Sequence, residues 1–116
     1  MAATEWWQRG PVEGVPALLQ PVAHILLQVH ESVEEFVQQM PELDWNARPA
    51  GVASPAFHLL HIPGVIDRLF TYARGGALSE EQFAALKRER EPLDPADVAQ
   101  ALAALHARVD EAVAEL

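Results

Sequence analysis

His58 and His61 are the residues whose type and spacing could do chemistry, set three apart in the apolar stretch Ser54-Pro-Ala-Phe-His-Leu-Leu-His-Ile-Pro-Gly64. At about 100° per helical residue they lie about 60° apart around the axis, so both imidazoles share a face and can reach one ion. By the same count Ser54, Phe57, Val65, Arg68 and Tyr72 fall within about 60° of His61, which adds a guanidinium and a phenol. Two helical histidines do not complete a catalytic metal site, because that needs three protein ligands and an open position. Two readings therefore stand: metal ligands, or hydrogen-bonded histidines at the boundary of a core. No acid has ligand spacing to His61, since Asp67, the nearest, is about 120° away. His24 falls opposite the stripe Val22-Ile25-Val29, His30 at its margin and His106 at the edge of a later stripe, and all three are read as ordinary.

Other chemistry is thin. The chain has no cysteine, hence no disulfide, thiolate zinc site or cysteine nucleophile, which fits a reducing compartment. Ser32, Ser54, Thr71 and Ser79 have helix-surface or capping roles, with no glycine elbow or phosphate-cradling loop around them, so no catalytic residue is assigned. With 8 Lys+Arg against 17 Asp+Glu the net charge is −9, which repels phosphate backbones and argues against nucleic-acid binding. The N-terminus lacks the basic-then-apolar order of a signal peptide, and no apolar run reaches the roughly 18 residues of a membrane span. The expectation is a cytoplasmic protein with no membrane partner.

The elements that must position these groups are helices. The 116 residues, 50% hydrophobic, suffice for one domain over 1–116 with a real core. The first 15 residues, with Trp6, Trp7, Gly10, Pro11 and Gly14, read as an irregular strap whose tryptophans lie over the outside of the core. From Pro16, the residues Leu18, Val22, Ile25, Val29, Val33, Phe36 and Met40 step by three and four along one stripe, a long amphipathic helix that Pro21 either bends or opens. Residues 41–53 form a loop tucked down by Leu43 and Trp45. Ser54-Pro55 is an N-cap with proline in the first turn. The helix it starts carries Phe57, Leu60, Val65, Leu69 and Tyr72, is expected to kink at Pro63, and ends at Arg74-Gly75-Gly76.

Ser79-Glu-Glu-Gln82 has the form of a capping box and starts a short helix with Phe83 and Leu86. The charged run Lys87–Glu91 that ends it reads as a solvated face. Asp94-Pro95 caps a last long helix, in which Val98, Leu102, Leu105, Val109, Ala112 and Leu116 repeat in a four-three rhythm. No strand is required anywhere.

The ordered set Glu5-Trp6-Trp7-x-Arg9-Gly10, Pro21-Val-Ala-His24, Trp45-x-x-Arg48-Pro49-Ala50-Gly51-Val52-Ala53-Ser54, Phe57-His58-Leu-x-His61-Ile62-x-Gly64 and Asp67-Arg68-Leu-x-Thr71-Tyr72-Ala73-Arg74-Gly75 resembles the N-terminal part of the DinB/YfiT-like family. The resemblance implies an all-α, antiparallel four-helix bundle with long crossing connections. Three long helices and one short helix are present, and a fourth long helix is missing. It also implies a divalent metal, zinc or nickel, held by one histidine of the second helix and a His-x-x-x-His pair of the last. The first matches His61; His58, Arg68 and Tyr72 become pocket residues, and the His-x-x-x-His pair has no counterpart here, leaving the site incomplete. Transferases acting on low-molecular-weight thiols such as bacillithiol or mycothiol are the implied activity, with the thiolate generated at the metal.

The stripe of the last helix runs to Leu116 without a cap. That pattern sets up two expectations: the N-terminal portion of a longer bundle, or a non-catalytic module that self-associates, as a homodimer, through this open apolar stripe.

Overall fold

The computed structural model describes residues 4–116, and among them every regular element is helical. Helix α1 spans Gln20–Gln39, α2 Pro55–Ala73, the short α3 Glu80–Arg88 and α4 Val98–Glu115. The local signals act as the sequence predicts. Ser54 Oγ accepts the Phe57 amide at 3.1 Å, Ser79 and Gln82 close a reciprocal capping box, and Asp94 Oδ1 accepts from the Ala96 amide at 2.9 Å at the entry to α4. Pro21 sits in the first turn of α1, where its missing N–H costs nothing. Leu18 lies before the helix, in a 3-10 turn at Ala17–Leu19, and is 90% exposed. Pro63 is carried inside α2, which remains one helix from Pro55 to Ala73.

Polar contacts fix the helix directions. Arg74 and Glu115, at the C-terminal ends of α2 and α4, pair at 2.7 Å, and Asp67 and Arg108 pair at 3.4 Å further back along the same helices, so α2 and α4 run parallel. The Asn46 amide exchanges two 2.8 Å hydrogen bonds with the Leu93 backbone, bringing the end of α1 to the start of α4. Helix α1 is thus antiparallel to the other two, and the parallel pair needs a crossing connection, which residues 74–97 and α3 supply. The N-terminal strap lies along α1: Glu31 accepts from Trp6 Nε1 at 2.8 Å and from both terminal nitrogens of Arg9 at 2.9 and 3.0 Å.

Helix α4 buries the face its stripe suggested, whereas α1 and α2 bury different ones. Helix α4 lies against both α1 and α2, and its stripe is closed: Leu105 and Val109 are fully buried, Val98 and Ala112 nearly so. The open stripe expected at α4 is therefore not there. On α1 the core takes Ala23 and Leu26, one position round from the expected row, and on α2 it takes Ala56, Leu59 and Ile66. The expected stripe residues Ile25, Phe36, Leu69 and Tyr72 stay exposed. Both helices are apolar over more than one face, so periodicity alone could not say which face α4 would cover. Between α1, the 43–55 loop and α2 lies an apolar groove of about 510 Å³, floored by Trp45 and lined by Val33, Phe36, His58, Leu59 and Ile62. No helix of the described residues is long and apolar enough to cross a membrane.

Candidate functional site

His61 projects from the middle of α2 onto a buried carboxylate. Its Nδ1 lies 2.7 Å from Glu89 Oε1, and Glu89, at the C-cap of α3, is only 4% exposed. The same carboxylate takes a two-pronged contact from Arg68, two turns further along α2, at 2.8 Å from Nη1 and 3.2 Å from Nη2. A bidentate guanidinium is the geometry best suited to hold a carboxylate in one orientation. An ionised carboxylate only accepts hydrogen bonds, so the Nδ1 of His61 carries the proton and the neutral ring keeps its lone pair on Nε2. The ring stacks on Phe57 at 4.9 Å with an interplanar angle of 16°, which fixes its plane.

Electrostatics follow from this geometry. Burial by itself raises the pKa of Glu89, but the hydrogen bonds from Arg68 and His61, with the charge of Arg68, outweigh it and hold the carboxyl below its ordinary value. The group is a buried anion shared between an arginine and an imidazole.

Two local features place Glu89. The α3 capping box is tied to α2 by Gln82 Nε2, which donates to Asp67 Oδ2 at 3.0 Å and Thr71 Oγ1 at 2.8 Å, so the short helix ends over Gly64. There the absence of a side chain makes room: a Cβ on Gly64 would stand 3.0 Å from both Glu89 Oε2 and Arg68 Nη1. Gly64→Ala should gain about 1 kcal/mol of helix propensity yet lose more by pushing the ion pair apart, for a net destabilisation of about 1–2 kcal/mol in urea denaturation. A stabilised variant would show that the carboxylate tolerates displacement.

The expected pocket residues separate. Arg68 joins His61 through Glu89. His58 lines the apolar groove and packs edge-on against Phe57 at 5.4 Å. Tyr72 is exposed and about 16 Å along the helix axis from His61. The largest correction is Glu89 itself: the sequence presents the run Lys87–Glu91 as a solvated face and no acid at ligand spacing to His61, yet one member of that run is buried against the ring. Helical counting could not find it, because the contact crosses from the end of one helix to the middle of another.

A second group forms around two histidines, His30 and His106, that look ordinary in the sequence. His30 and Glu34, one turn apart on α1, and His106 on α4 bring ligand atoms within 4.8 Å of one another. Among the described residues this is the set of three that could hold a metal ion, and His61 is not in it. The one signal in the sequence was the His-x-x-x-Glu spacing in α1; its third member comes from a helix 72 residues away.

A family model described as the DinB superfamily matches residues 25–116. No curated protein and no solved structure matches the chain.

Proposed function

Because this chain belongs to the DinB superfamily, we propose that it is a thiol-handling helical bundle, of the S-transferase or detoxification kind, in which His61 activates a low-molecular-weight thiol. The single observation that carries the reading is the Glu89–His61 pair, a buried carboxylate fixing the tautomer of an imidazole at 2.7 Å. Nε2 of His61 accepts the proton of the thiol, and Glu89 stabilises the resulting imidazolium. The thiolate forms a bond from sulfur to an electrophilic carbon of the second substrate. The leaving group departs with the electron pair of the broken bond, and Nε2 passes its proton to solvent when that group is a halide or to the leaving group itself when it is basic. Arg68 is a positioning residue: it holds Glu89 and touches no reacting atom.

A divalent metal such as zinc or nickel would find one oriented nitrogen at His61. The described residues offer no set of three His, Asp or Glu there, and three ligands are the usual requirement. They do not close a metal centre at His61, and the steps above need none.

The test is transfer of a panel of low-molecular-weight thiols to a chromogenic aryl halide, comparing the untagged chain with His61→Ala and Glu89→Gln. His61→Ala should lose at least tenfold in kcat with unchanged helicity, and Glu89→Gln should shift the pH profile of kcat more than KM. Equal rates in His61→Ala would remove the imidazole from the reaction; no turnover by the parent chain would remove the enzyme reading.

A second reading has its own observation. The apolar groove between α1 and α2, with Ile25, Phe36, Leu69 and Tyr72 exposed on the two helices, fits a non-catalytic module that self-associates through this face. Sedimentation of the chain and of Phe36→Glu decides it: a dimer lost in the variant supports the module, and a monomer across the micromolar range rejects it.

A further inference from the structure

We propose that His30, Glu34 and His106 form a clamp for a divalent transition-metal ion between α1 and α4, separate from His61. His30 and Glu34 share a face of α1 one turn apart, and His106 meets them from α4, where it is the only histidine. All three are partly buried, so they are preassembled yet reachable. His106 Nε2 lies 3.2 Å from the His30 carbonyl oxygen. Donation to that oxygen leaves Nδ1 of His106 with its lone pair, the backbone-anchored tautomer that metal-ligating histidines commonly show.

The surroundings favour a cation. Asp110, one turn beyond His106 on α4, has Oδ1 3.9 Å from Nε2 of His30, so each helix presents a histidine with an acid four residues on. Glu31 lies along the same cavity but is occupied by Arg9 and Trp6, whereas Glu34 and Asp110 carry no comparable arginine pair. That cavity, about 370 Å³ beside Trp6, leaves room for the water that completes a three-ligand site.

The ion's class follows from the donors. Two imidazole nitrogens and one carboxylate suit zinc, nickel or cobalt(II); magnesium and calcium prefer oxygen alone. The geometry also says what loading would do. Tetrahedral donors about 2.1 Å from an ion stand about 3.4 Å apart, a spacing compatible with ligand atoms that all lie within 4.8 Å of one another. The rings of His30 and His106 stack at 3.7 Å and 11°, and parallel rings do not aim their lone pairs at one point. Loading therefore splays the stack, and an ion held jointly by α1 and α4 couples metal binding to bundle stability through mass action.

The experiment is calorimetric titration of the untagged full chain with zinc and with cobalt(II), the latter also followed by visible absorption, on the parent and on Glu34→Gln, His106→Gln and His61→Ala. Glu34→Gln changes a partly exposed side chain and keeps its shape, so it stays informative if His106→Gln disturbs folding. The clamp predicts one ion per chain, a cobalt band of tetrahedral intensity, at least tenfold weaker binding in Glu34→Gln and His106→Gln, and undiminished binding in His61→Ala. Binding unaffected by Glu34→Gln, binding lost in His61→Ala, or no binding by the parent chain would each overturn it. Thiol transfer measured on the same variants is independent, so the clamp and the His61 reading can fail separately.

Discussion

Glu89→Ala is expected to destabilise the fold by about 3–5 kcal/mol, because it leaves Arg68, whose side chain is 11% exposed, as a buried charge without its partner. Breaking such a pair costs more than the pair contributes. The double variant Arg68→Leu/Glu89→Leu should accordingly recover most of the loss, and an urea-denaturation cycle measures both. The sign of the pH dependence is fixed by the depressed carboxyl of Glu89. A carboxylate that is more acidic folded than unfolded contributes stability that is full above its unfolded value, about 4.3 for glutamate, and is lost as pH falls through the folded value. The gap between the parent and Glu89→Gln should be widest near neutrality and shrink on acidification below about pH 4. A gap that is constant with pH, or a double variant as unstable as the single one, would show that Glu89 is not the shared anion of this site.

Leu105→Ala should cost about 2–5 kcal/mol, the range for deleting a fully buried leucine from a core that collapses only in part. Leu105 sits on the helix that joins α1 to α2, and His106 is its neighbour in sequence. Loosening it should therefore also weaken the His30–His106 stack, seen as faster amide exchange in α1 as well as α4. Leu18→Ala is the control: at 90% exposure it should change stability by less than about 0.5 kcal/mol. Similar losses in the two variants would mean that the burial assigned to α4 is wrong.

Local chemistry carried much of the fold. Ser54, Ser79, Asp94 and Gly75 mark helix ends through hydrogen bonds to backbone groups within a few residues, and Gly75 takes the left-handed conformation, φ +82°, that a helix C-terminus needs. Those interactions are short-range, so the order of types along the chain was enough to place three long helices and one short one. The same holds for His61 and Arg68, seven apart on one helix and therefore on one face whatever the rest of the chain does.

What the chain order could not carry was the partner across each interface. Val22, Ala23, Ile25 and Leu26 are all apolar, and only the approach of α4 decided that Ala23 and Leu26 go in while Ile25 stays out. Glu89 looked like one charge among five; it became the buried anion because α3, tied to α2 through Gln82, ends over the space left by Gly64. His30 and His106 were each ordinary on their own helix and became a pair because the crossing connection sets α4 antiparallel against α1. By itself the sequence determined the helices, their caps and the family likeness, since these rest on contacts a few residues apart. Which faces close, which acid meets His61 and where three metal ligands gather were decided by the tertiary structure, because those contacts join residues whose separation along the chain says nothing of their distance in space.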